Sequence, residues 1–203
     1  MIGLAFSPRA FLPLARSSLS CSSVCVSSSA SSGVDQEGAR PKPWLLVGLG
    51  NPGKLYDGTR HNVGFEMVDY IAHAEGISIS NIRSKALFGK GQIGNVPVMF
   101  AKPQTFMNGS GESVASLVAY FKVPLNQVLL GVKDFPRLRI GIGRPPGKMD
   151  PVNFVLKPFS KKELEELSLM YQIGLEAVRI LVRDGFDKSA TFVNSGKSTK
   201  LLS

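Results

Sequence analysis

The chain has 203 residues, enough for one domain with its own core plus tails, and carries a net charge of +9 with a pI near 9.7. Residues 41–203 hold 21 Lys and Arg against 13 Asp and Glu, so the positive surplus belongs to the part expected to fold and suits nucleic acid better than a neutral metabolite. Both cysteines, Cys21 and Cys25, precede residue 41, which excludes a later disulfide, cysteine zinc site or thiol nucleophile; no apolar run nears the roughly 20 residues that span a bilayer, so no membrane partner is expected.

Residues 1–40 are serine-rich, contain Arg9 and Arg16, and have no acidic residue before Asp35. That composition predicts a disordered organelle transit peptide outside the fold, addressed to the chloroplast first and the mitochondrion second. Trp44 to Val47 is an unbroken apolar run without polar alternation, which predicts a central strand covered on both faces. It runs into the loop Gly48-Leu49-Gly50-Asn51-Pro52-Gly53, which places Asn51 at the carboxyl end of the strand, the edge where open α/β sheets usually bind ligands.

From Gly64 to about Glu75, Phe65, Val68, Ile71 and Ala72 share one helical face, with His73 late on the helix and given no role. Phe88 to Ile93 and Val96 to Ala101 flank Gly94-Asn95, a two-residue hairpin signal, so the sheet must be mixed. The second of these strands leads through Thr105-Phe106-Met107-Asn108-Gly109 into a helix with Val114, Leu117, Val118 and Phe121 on one face and Ser110 as the expected N-cap. A strand, an Asn-bearing loop and a helix thus occur twice, and two such loops at one sheet end can present two amides to one ligand. Gln127 to Val132 and Leu138 to Gly143 predict further strands with only five residues between them. Ser160-Lys161-Lys162-Glu163 has capping-box spacing and opens a long helix with Leu164, Leu167, Tyr171, Val178 and Leu181 inward and Gly185 as its stop. The folded domain is expected over 41–194, followed by a loose basic tail at 195–203.

Gly48-x-Gly50-x-x-Gly53 matches the dinucleotide fingerprint literally, but Pro52 and Lys54 to Gly58 do not open a helix at the third glycine, and no acid ends a second strand about 20 residues on. Gly143 to Met149 lacks the glycine spacing and the Ser or Thr of a P-loop. His61 is a better candidate, because Thr59-Arg60-His61-Asn62 lies on a short connection and not on an apolar face. A near-neutral pKa suits histidine to activating water, provided that a carboxylate orients the ring.

Val47 to Gly53, Thr59 to Asn62, Lys102 to Asn108 and Phe135 to Gly143 together resemble the bacterial-type peptidyl-tRNA hydrolase family, in family order and over about Pro43 to Asn194. The resemblance implies a three-layer α/β sandwich around a mixed, mostly parallel sheet. It also implies hydrolysis of the ester between peptide and tRNA, with neither metal nor cofactor. His61 would activate water, Asn51 and Asn108 would orient the peptide and ester carbonyl, and Met107 and Tyr56 would flank the tRNA end. Arg139 would hold a tRNA phosphate. The expected partner is the acceptor end of peptidyl-tRNA, met by a monomer. A plant relative of the same fold, the chloroplast group II intron splicing facilitator, supplies the alternative of a non-catalytic protein acting with a splicing cofactor; the run Gly147 to Pro151 resembles plant members, and Thr105 to Asn108 favours the hydrolase.

One departure bears on both fold and chemistry. Between the strand at 127–132 and Phe135, family members carry a few dozen further residues with an Asp-Asp-Leu-Asp-like loop and a Gly-Gly-His-Asn-Gly-like loop, among them the aspartate that orients the histidine and a third substrate-binding asparagine. Asp134 matches neither. Loss of such a carboxylate from a triad costs about 10⁴ in rate, and parallel neighbours need a crossover of roughly a dozen residues. The expectation is therefore an internally shortened hydrolase, weak or inactive, with its sheet perturbed near residues 127–143: either the flanking strands form a hairpin or one leaves the sheet.

Overall fold

The computed structural model describes residues 3–7, 42–129 and 136–195. Among them the elements run β1 Gly3–Ser7, β2 Trp44–Val47, α1 Val63–Ala74, β3 Asn81–Arg83, β4 Ala86–Ile93, β5 Val96–Pro103, α2 Ser110–Phe121, β6 Val128–Leu129, β7 Arg137–Gly141, α3 Pro151–Val155, α4 Lys161–Asp184 and α5 Phe186–Asn194. No helix of the described residues is long and apolar enough to cross a membrane.

Five strands form a sheet in the order β3-β4-β5-β2-β6. β2 pairs in parallel with β5 and β6, while β4 pairs antiparallel with β5 and β3 with β4. Alternation along β2 sends Leu46 to one face, against Met67, Val68 and Ile71 of α1 and Val178 and Leu181 of α4. Leu45 goes to the other, against Val114 and Leu117 of α2. Both faces are covered, which gives three layers and explains why β2 is apolar without interruption. The hairpin β4–β5 turns at Gly94, whose φ of 58° lies in the left-handed region that glycine enters freely. The capping box of α4 is present with both bonds, and Gly185, at φ 92°, ends the helix as expected.

β7 is not in this sheet. It pairs antiparallel with β1, from Gly3 opposite Gly141 to Ser7 opposite Arg137, in a separate two-stranded ribbon. Of the two outcomes open to a short linker, the strand leaves the sheet, because so few residues cannot cross over to bring β7 parallel beside β6. The expected strand end at Leu130 to Val132, and Asp134, lie outside the described residues. Within the expected leader, Gly3–Ser7 form β1 and supply the ladder partner of β7, whose edge is otherwise open to pairing. Residues 8–41 and 196–203, with most of the expected leader and tail, lie outside the described residues.

Two local expectations differ as well. Ser110 is the first residue of α2 and not its cap; its hydroxyl donates to the Met107 carbonyl (2.8 Å) and Gly109 holds the cap position. Leu164 is 50% exposed, because the inward face of α4 begins at Leu167 and the first turn overhangs the core.

Candidate active site

Two glycines of the loop after β2 admit the start of α1 at close range. A Cβ on Gly50 would lie 2.8 Å from Asn62 Oδ1 and 2.9 Å from the Phe65 ring, and one on Gly48 would collide with the Gly64 carbonyl. The first two glycines of the literal fingerprint thus reflect how closely the loop presses on the start of α1, and Gly53, at φ 104°, turns the chain. This close approach lets Asn62 bracket Asn51: the Asn51 N–H donates to Asn62 Oδ1 (2.8 Å), and Asn62 Nδ2 donates to the Asn51 carbonyl (2.9 Å). Asn51 Oδ1 in turn accepts from the Met107 N–H (2.8 Å), which ties the two Asn-bearing loops together across the sheet end. With its oxygen committed, Asn51 can offer its NH₂ to a ligand carbonyl.

His61 is the middle residue of a 3₁₀ turn, Arg60–Asn62, that runs directly into α1. The turn is pinned by Arg60, which is buried. Its Nη1 donates to the carbonyls of Lys157 (3.0 Å) and Pro158 (2.7 Å), and its Nη2 donates to both oxygens of Glu163 (2.8 and 2.7 Å). The guanidinium carbon lies 4.3 Å from the Phe154 ring centre and 5.0 Å from that of Phe159. The Arg60 guanidinium first, then the backbone N–H and hydroxyl of Ser160, hold the Glu163 carboxyl at about 2. Arg60 and Asn62 are the positioning residues to which the sequence assigned no role.

Tyr56 packs beside the histidine with ring centres 5.6 Å apart and planes inclined at 42°. His61 Nε2 is shut off from solvent and has no hydrogen-bond partner. No carboxylate of the described residues pairs with the ring: Asp150 caps α3 by accepting from the Asn153 N–H (3.0 Å), and Asp57 is exposed. His61 and Met107 line a cavity of ≈ 210 Å³ walled by Leu46, Leu129 and Val178 and, from β7, by Leu138 and Ile140. Asn108 is exposed beside Met107 on the 3₁₀ turn opening α2.

The structure therefore gathers Asn51, Tyr56, His61 and Met107 at one end of the sheet and sets Asn108 at its rim. It does not gather Arg139, which is exposed on β7 between the two residues that face the cavity and so points to the opposite side. The expected hold of Arg139 on a tRNA phosphate calls for an exposed guanidinium and not for a place in this cavity.

The peptidyl-tRNA hydrolase family model matches residues 45–134 and 126–201, two stretches that overlap just where the chain departs from the pattern. The chain belongs to the peptidyl-tRNA hydrolase family. It is 57% identical to the mitochondrial peptidyl-tRNA hydrolase of Oryza sativa subsp. japonica over 200 residues, covering 82% of this chain and 80% of the relative. To the chloroplastic peptidyl-tRNA hydrolase of Arabidopsis thaliana it is 56% identical over 195 residues, covering 79% and 68%. The chloroplastic group IIB intron splicing facilitator of Zea mays is 46% identical over 186 residues, covering 75% and 73%. Among solved structures, the peptidyl-tRNA hydrolase of Acinetobacter baumannii superposes with a TM-score of 0.69 at 28% identity, covering 78% of this chain and 98% of that one. An alignment of 200 positions that draws on 82% of a 203-residue hydrolase-family chain includes positions that only the rice relative fills.

Proposed function

We propose that this chain is an organellar peptidyl-tRNA hydrolase, addressed to the chloroplast, which keeps two substrate-orienting asparagines, Asn51 and Asn108, and whose chemical step is slow. The carrying observation is the bracket Asn62–Asn51–Met107 beside a histidine whose Nε2 has no protein partner. Asn51 Nδ2, with Asn108 at the rim, orients the ester carbonyl, and Tyr56 packs the tRNA terminus against the histidine. His61 takes a proton from water as the water oxygen bonds to the carbonyl carbon. Collapse of the tetrahedral intermediate breaks the bond to the ribose oxygen, which takes that proton from His61, releasing free peptide and tRNA. With no carboxylate among the described residues at the ring, its orientation and its cationic form go unsupported there, and a loss of about 10⁴ in rate follows.

Hydrolysis of a peptidyl-tRNA by the full chain and by its His61→Ala variant tests this reading. Slow, saturable turnover that disappears in the variant is expected. Turnover matching a full-length family member would overturn the impairment, and slow turnover unaffected by the variant would overturn the role of His61. The 46% identity to a splicing facilitator favours one second reading, a non-catalytic partner of intron RNA and a splicing cofactor. Copurification of intron RNA with the chain, together with no His61-dependent hydrolysis, would establish it.

A further inference from the structure

Three strands away from β2, roughly 14 Å at ordinary strand spacing, the edge of the sheet carries a groove that the hydrolytic site does not use. The groove has a volume of ≈ 620 Å³ and lies between β3, β4 and the end of α2. Its floor is aromatic: Phe88 and Phe121 stack in parallel (5.1 Å, 5°), and Tyr120 stands edge-on to Phe121 (4.8 Å, 84°). Two cations sit on these rings and not on carboxylates. The Arg83 guanidinium carbon is 4.2 Å from the Tyr120 ring centre, and Lys90 Nζ is 4.1 Å from that of Phe121. Among the described residues neither forms an ion pair; the nearby acid Glu112 is engaged by Lys85 (2.8 Å). Tyr120 is 62% exposed and Ile82 78% exposed, an apolar surface that a soluble chain gains nothing by leaving uncovered.

We infer that this groove is a second RNA-binding site, taking single-stranded RNA by base stacking and phosphate pairing. Aromatic faces stack any base, and cations spaced among them meet the phosphates between bases; that pairing of features is how sequence-tolerant single-strand binders work. Arg83 is suited to both tasks, since one face of its guanidinium covers Tyr120 while the exposed remainder offers a flat surface to a base and N–H groups to a phosphate. Unpaired cations in a chain of net charge +9 make a polyanion the complementary occupant. A volume of this size accommodates a nucleotide unit. The site stands apart from the ester chemistry and does not depend on it.

The test is fluorescence anisotropy of the full chain with a labelled single-stranded RNA of about 12 nucleotides, carrying no ester, over a range of salt concentrations. Arg83→Gln/Lys90→Gln should weaken binding by at least tenfold and reduce the slope of log K against log[salt] by about 1.4, the value for two phosphate contacts on a single strand. Tyr120→Ala should weaken binding at every salt concentration without changing the slope, and Tyr120→Phe should restore it; Tyr120 is on the surface, so folding is not at issue. Lys161→Gln/Lys162→Gln removes the same charge from the exposed start of α4 and should leave affinity within twofold. Equal losses in the two double variants would reduce the effect to overall charge and overturn the inference. Binding indifferent to Tyr120 would overturn it too, and would leave this edge to a protein strand adding to β3.

Discussion

Replacing Glu163 with Gln would remove the anion that holds the histidine turn. Glu163 accepts two bonds from Arg60 and, through Oε2, the N–H (2.8 Å) and hydroxyl (2.7 Å) of Ser160. The Arg60 side chain is 7% exposed and that of Glu163 28%. Breaking a buried pair by removing one member costs about 3–5 kcal/mol. Solvent at Glu163 screens the interaction, glutamine keeps one acceptor, and the carbonyls of Lys157 and Pro158 still serve Nη1, so a loss of about 2 kcal/mol is expected. In a chain of this length that lowers Tm by about 4–8 °C. The sign with pH is fixed by the direction of the shift. A folded pKa of about 2, below the ordinary 4.5, means that the stabilisation is complete above pH 4.5 and is lost as pH falls through 2. Urea denaturation of both proteins across this range should therefore show a gap that is widest at neutral pH and closes towards pH 2. A gap below about 0.5 kcal/mol at pH 7, the scatter of ordinary surface changes, or one that does not vary with pH, would refute the anchoring role of Arg60.

Tyr171→Phe removes the hydroxyl that donates to Glu66 (2.7 Å). Burial already raises the Glu66 carboxyl and the Tyr171 bond opposes that rise, so the variant should lose about 1–3 kcal/mol at pH 7 and recover as acid protonates Glu66, which paired denaturation curves at pH 7 and pH 4.5 would show. Gly64→Ala should destabilise by about 2 kcal/mol although alanine favours helices, because its Cβ would stand 2.5 Å from the Leu49 carbonyl oxygen and 2.8 Å from the Leu49 nitrogen, neither of which can yield cheaply; thermal unfolding reads the sign. Deleting residues 1–40 strips β1 from β7, and hydrogen exchange should report lost protection at Arg137–Gly141 with the amides of β2 and β5 unchanged.

Much of the frame was legible because local signals and the global fold agree. An unbroken apolar run became a strand buried on both faces, Gly94-Asn95 became a hairpin turn, and the spacing from Ser160 to Glu163 became a working capping box. What escaped lacked a periodic signal. β3 is three exposed residues at an edge, α3 is five residues behind Pro151, and α5 restarts immediately after the glycine that ends α4. In the site, His61 and Asn51 could be found because scarce residues sat on glycine-bounded loops. Arg60 could not, because its partners lie about a hundred positions away, and nothing near a buried arginine in sequence reveals what balances it. Arg139 matched by residue identity alone, and identity does not encode the strand pairing that decides which way a side chain points.

The behaviour of β7 separates two forces that usually act together. Ladder pairing is geometric, and a short linker denies it: no arrangement of so few residues returns the chain parallel to β6. Burial is non-directional, and it still holds β7 against the domain, with Leu138 and Ile140 on the wall of the cavity beside His61 and a Leu138 methyl within 3.7 Å of where a Cβ on Gly174 of α4 would stand. Apolar contact without register keeps the hydrophobic half of the strand in place while its polar residue, Arg139, is carried to the outer side. The loops bearing Asn51, Tyr56 and Met107 are set by β2, β5 and the Arg60 anchor, and Ile140 of β7 packs on the Phe159 cluster that flanks Arg60. Among the described residues, His61 Nε2 is left buried without a partner beside this wall.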